Sequence, residues 1–245
     1  MTLNVENDSD RRSPERPQAP ARSGKPFWKR PWVGPLAVAV VLYIYLAGQP
    51  FAGVPKDQAP LQPHDNFPAY YPLLIIHMIA SAVAMLAMVP QVWPWLRQHH
   101  PKVHRATGRT YLLATMVGGG LGLIVVWWAP PVGKVGALCL LLFWLGTSIA
   151  AYRAVRRRDF AKHRRYMLFS FAVASNNMLA FFSLLVIQAL EIPLDMVYYQ
   201  EAARWIPWVG NVMLVQWWLY RTARRPPPAP VRRPAPSPSA ASIRG

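Results

Sequence analysis

Acidic residues are scarce. The 245-residue chain has 10 Asp and Glu against 27 Lys and Arg, and charged residues of both signs make up only 15% of it. A soluble domain of this size seldom carries so little charge. Cysteine is nearly absent as well: Cys139 is the single thiol, and it lies in an apolar stretch. That excludes an intrachain disulfide, a CxxC metal site and a CxxCH haem attachment site. There is no phosphate loop, no Ser-His-Asp arrangement and no HExxH. The glycine run at 118–120 sits inside an apolar segment rather than between a strand and a helix, so it is not a nucleotide motif.

What the chain has in abundance is apolar surface, with 53% hydrophobic residues and 11 tryptophans. Several stretches approach or exceed the roughly 18–20 residues needed to cross a bilayer. The expected fold is all-α: a polytopic membrane protein of six transmembrane helices, with a four-helix core made of two pseudo-repeated hairpins. Residues 1–27 read as a disordered tail and 28–48 as an uncleaved anchor helix. Residues 49–70, with five prolines, read as an outside loop. Residues 71–190 form the four-helix membrane domain, with spans at 71–93, from the basic loop to 128, 134–152 and 166–190. Residues 191–220 hold a short acidic connection and a sixth span from Arg204 to Tyr220. Residues 221–245 read as a second disordered tail, rich in Pro and Arg.

The net charge of +17 would point to nucleic acid in a soluble protein. Here topology explains it, and no nucleic-acid partner is expected. With both tails and the loops at 97–109 and 153–165 on one side, only Lys56, Lys134 and Arg204 lie on the other. The positive-inside rule makes the first side cytoplasmic, in a bacterial plasma membrane. The partners this implies are the bilayer and its anionic headgroups.

Two stretches echo one another. Each is a basic turn, a His-Arg pair and an apolar helix: Arg97 then His104-Arg105, and Arg156 then His163-Arg164. Pro101 can be the first residue of one helix, and Asp159 the N-cap of the other, with Phe160 following it. Either histidine then falls at the fourth helical position.

Three helices carry a small or polar stripe with steps of four and three. They are His77, Ser81, Ala84, Met88 and Gln91; His104, Gly108, Tyr111, Thr115, Gly118 and Gly122; and His163, Met167, Ser170, Ala174 and Asn177. Such stripes should face inward, with Asn176-Asn177 bonding across the bundle. His104 and His163, converging between the hairpins, would suit the axial positions of a b-type haem, with His77 an additional or alternative ligand. Arg105, Arg109 and Arg164 could then bind haem propionates, or hold a phosphate or lipid headgroup instead. The competing reading makes His77 a core histidine, His104 and His163 interfacial helix anchors, and the whole a non-enzymatic bundle: structural, a small transporter, or a binder of lipid or a cytoplasmic partner.

The residues His77, Gln91, Arg97, His104-Arg105, Gly108-Arg109, Tyr111, Trp144, His163-Arg164 and Tyr166-Met167 resemble the pattern of a family of bacterial predicted membrane proteins catalogued as domain of unknown function 2306. The resemblance covers about residues 71–190. It implies a polytopic bundle in the plasma membrane and supplies no activity. The family often has an Arg in the last helix of the domain and a Trp before the Met. This chain has Asn176-Asn177 without a nearby Arg, and Tyr166.

Overall fold

The computed structural model describes residues 32–53 and 66–223. The expectations for 1–27, for 54–65 of the outside loop and for the tail beyond 223 lie outside these residues. Eight α-helices account for nearly all of what is described: α1 Val33–Gly48, α2 Tyr70–Gln91, α3 Pro94–His99, α4 Pro101–Val125, α5 Lys134–Arg156, α6 Phe160–Ala174, α7 Asn176–Ala189 and α8 Met196–Ala223.

Five stretches are long and apolar enough to cross a membrane: Val33–Phe51, Tyr70–Gln91, Pro101–Trp128, Lys134–Arg156 and Phe160–Ala189. Large side chains such as Val38, Leu113, Val135 and Val186 are exposed along them, as lipid-facing surface requires. The protein is a helical membrane protein. α8 has 28 residues, ample length, but Glu201, Arg204, Asn211 and Gln216 make it less apolar than the other five.

The most extensive pairings are α2 with α4 and α5 with α6, the two hairpins expected from the sequence. Without a hydrophobic drive between helices in lipid, close backbone approach must supply the packing. α4 provides it with glycine. A Cβ on Gly118 would lie 3.1 Å from Ser81 Oγ, and one on Gly122 would lie 2.7 Å from Leu141 Cδ2 and 3.0 Å from His77. Val40, Ala84, Met88, Trp144, Phe171 and Trp208 complete a core contributed by α1, α2, α5, α6 and α8.

Both helix starts behave as expected. Pro101 opens α4. Asp159 caps α6, its side chain accepting from the Lys162 N–H at 3.0 Å. Other expectations are corrected. Part of the 97–109 loop is helical, because Pro94 starts the short α3 after the extended Trp93. The 166–190 span begins at Phe160 and breaks at Ser175, where the Ala172 carbonyl accepts from the Ser175 hydroxyl and the Asn211 amide. The acidic connection 191–203 is shorter than expected, because α8 already starts at Met196 and runs to Ala223. Glu201, inside that helix, accepts hydrogen bonds from the Gly133 N–H and from Trp205 Nε1.

Candidate functional site

The inward stripe of α4 organises the interior. Tyr111 is fully buried on it, and its hydroxyl is shared by three helices. It hydrogen-bonds Ser170 Oγ of α6 at 2.6 Å and accepts from Trp144 Nε1 of α5 at 3.1 Å. Ser148 Oγ of α5 meets Ser170 Oγ at 2.7 Å. Tyr111 and Ser170 each lie seven residues beyond their own helix-start histidine. Thr115, a turn further along α4, is fully buried beside this cluster. Ser148 was not singled out in the sequence. Its signal is the stripe Trp144, Ser148, Ala151 at spacings of four and three, all buried.

One end of the bundle is strongly basic. Its two turns carry Arg97, Lys102, Arg105 and Arg109, and Arg153, Arg156, Arg157, Arg158, Lys162, Arg164 and Arg165. Among the described residues the only carboxylate there is Asp159. Hydrogen bonds from the Lys162 backbone N–H and side chain hold its pKa below the ordinary carboxylate value.

Two of the three expected histidines, His104 and His163, lie at the same basic end of the bundle, and His77 does not. His104 lies within electrostatic range of His163, Arg97 and Arg105. Its Nδ1 is buried and has no hydrogen-bond partner among the described residues. His163 donates through Nδ1–H to the Ala151 carbonyl at 2.9 Å, which ties α6 to α5. His77 bonds the Gly118 carbonyl at 2.7 Å. Gly118 is fourteen residues along α4 from His104, about 21 Å of helix, so His77 does not share their site.

The arginines divide as well. Arg105 and Arg109 are exposed. Arg164 sits over the Trp218 ring at 5.4 Å, and Arg165 donates to Gln216 at 3.3 Å, so both serve the α6–α8 contact. Gln91 donates to the His104 carbonyl and to Thr107, and Gly108 leaves room for its side chain. Asn177 is exposed rather than inward, because the break at Ser175 rotates the stripe and buries Asn176 instead. Among the described residues Asn176 bonds Asn177 and no other helix.

The residues available fit a haem poorly. His77 is pressed against Gly118 and Gly122. Beneath His104 and His163 the next inward layer is Tyr111, Met167 and Ser170, all buried. A macrocycle held between the two imidazoles needs an apolar slot, and that layer is filled by a hydrogen-bonded polar cluster. No group of three or more His, Cys, Asp or Glu among the described residues could hold a metal ion.

The profile of a family described as predicted membrane protein (DUF2306) matches residues 74–219. The chain belongs to this family. The DUF2306 match runs beyond 190, where the residue-by-residue resemblance ended, and takes in most of α8. Neither the curated proteins nor the solved structures contain a match to the chain.

Proposed function

We propose that this DUF2306 member is a non-enzymatic bundle of the bacterial plasma membrane that binds anionic lipid headgroups at its basic, cytoplasmic end. One observation carries this reading: among the described residues, two turns crowded with Arg and Lys face a single carboxylate, Asp159, which is already committed to a cap and to Lys162 at 3.3 Å. Cations with no protein counter-charge at a membrane surface are satisfied by anionic lipid, at about 1 kcal/mol each. Arg105 and Arg109 are the headgroup contacts on the first hairpin. Arg164 contributes through its outer edge while its face covers Trp218. His104 and His163 position the helix starts. The two hairpins act as a pseudo-repeat that presents matched basic turns, a reading supported by the meeting of Tyr111 with Ser170.

Thermal unfolding of the full chain in mild detergent tests the proposal, with phosphatidylglycerol or phosphatidylcholine titrated in. Phosphatidylglycerol should raise the melting temperature, the shift should shrink with added salt, and Arg105→Gln with Arg109→Gln should reduce it. Equal shifts from the two lipids would refute lipid charge recognition.

A further inference from the structure

A cavity of about 680 Å³ opens on the outer face of the α5–α6 hairpin at its basic end, away from the Tyr111 cluster. Its floor is Gly146, Ala150 and Ala154, spaced by four along α5. Its rim is Arg153, Arg157 and Lys162, with Asp159 beside Lys162. The groove runs from Gly146, deep in an apolar span, to Arg157 at the helix end, about 16 Å of helix. It therefore crosses from the apolar zone to the charged one.

Among the described residues nothing packs close enough to require glycine at 146. A Cβ there would meet nothing within 4 Å. Glycine inside a helix is nevertheless less favourable than alanine. A residue disfavoured in its own helix, facing an empty groove, makes room for something outside the chain. The rim says what that is. Asp159 is bound to Lys162, and Arg153 and Arg157 have no ion pair among the described residues. A guanidinium pair at the boundary calls for an anion with bidentate oxygens, and the small-residue floor calls for a slender apolar chain.

We propose that this groove holds one anionic phospholipid, its phosphate on Arg153 and Arg157 and an acyl chain along Gly146, Ala150 and Ala154. The proposal rests on the lipid-binding reading above and assigns it a site. A second copy of this chain is the other candidate for a floor of small residues. Two such rims brought together would repel, which favours the lipid.

The test is native mass spectrometry of the full chain released from nanodiscs containing phosphatidylglycerol and phosphatidylcholine in equal amounts. The wild type should keep one phosphatidylglycerol in preference to phosphatidylcholine. Arg153→Gln with Arg157→Gln should lower that occupancy roughly tenfold or more. Gly146→Leu should abolish it while leaving the melting temperature unchanged or raised, which separates a filled groove from a damaged fold. If the wild type shows no preference between the lipids, the broader reading falls and the groove with it. If it prefers phosphatidylglycerol but the groove variants do too, the groove is refuted and the broader reading stands. Displacement of the adduct by inorganic phosphate at equal concentration would make this a free-phosphate site. A dimer mass lost in Gly146→Leu, with lipid retained, would make it a contact between copies. Either result overturns the proposal.

Discussion

At the residue scale, Tyr111 couples the most. Its hydroxyl joins α4 to α5 and α6, and no water reaches it to replace a lost partner. Tyr111→Phe strands the Trp144 N–H, while Ser170 keeps Ser148. A buried donor left unpaired costs about 1–3 kcal/mol, so the variant should melt clearly below wild type in detergent, and Ser148→Ala should melt closer to it. The histidines make a second prediction. His77 is bound to the Gly118 carbonyl and His163 to the Ala151 carbonyl, and a polar cluster fills the layer below His104 and His163. Protein purified from cells supplied with haem precursors should therefore be colourless, before and after dithionite. A Soret band lost in His104→Ala or His163→Ala would contradict the packing argument. The stripe through His104, Tyr111 and Thr115 was legible because polar residues at helical spacing in an apolar segment must turn away from lipid. That His77 stands apart follows from the same topology: it lies near the outer end of the 71–93 span, whereas His104 and His163 open their helices at the basic loops.

At the scale of elements, glycines sort the faces of α4. Gly119 and Gly122 would place a Cβ 2.7 Å from Leu145 and Leu141, whereas Gly120 faces open space. Gly122→Val should destabilise by about 1–3 kcal/mol through overpacking. Gly120→Ala should be neutral or stabilise by up to about 1 kcal/mol from helix propensity. Equal effects of the two on the melting temperature would mean that α4 does not meet α2 and α5 on the Gly122 face. The start of α6 makes a pH prediction. Because the folded pKa of Asp159 is lowered by its bonds to Lys162, the cap is at full strength above the unfolded value. It is lost as pH falls through the folded one. Asp159→Ala should therefore lower the melting temperature at neutral pH, and its deficit against wild type should close in strong acid. Asp159→Asn, which caps without titrating, should keep its advantage over alanine there. Both helix starts could be read from sequence because a Pro at the first position or a capping Asp acts within one turn. The break at Ser175 and the early start of α8 could not. Both depend on distant partners: Asn211 reaches the Ala172 carbonyl from α8, and Glu201 takes the Gly133 N–H from the α4–α5 turn.

At the scale of the whole molecule, the open matter is whether α8 crosses the membrane beside the five more apolar spans. Its polar residues count against it only if they face lipid, and several are tied into the protein. Glu201 is held by Gly133 and Trp205, and Asn211 by Ala172 and Ser175. Gln216 accepts from Arg165 at the basic end. Its aromatics are Tyr198, Tyr199, Trp205 and Trp208 in the first half and Trp217, Trp218 and Tyr220 near the end, with none between Trp208 and Trp217. Tyr198 and Trp217 are nineteen residues apart, about 28 Å of helix, close to the hydrocarbon thickness of a bilayer. Aromatic residues at both interfaces mark a crossing helix rather than one lying in the surface. α8 also packs on α5, α6 and α7, which places it in the bundle and not beside it. A crossing α8 makes six spans and returns the chain beyond Ala223 to the side of the basic turns. On the cytoplasmic orientation proposed above, both ends of the chain are expected on the cytoplasmic side. Fusions of green fluorescent protein to either end should both fluoresce, and alkaline phosphatase fused to either end should be inactive. A phosphatase active at the C-terminal end alone would leave five spans. It would put the end of α8, with Arg221, on the opposite face from the basic turns, against both the charge asymmetry and the Arg164–Trp218 contact.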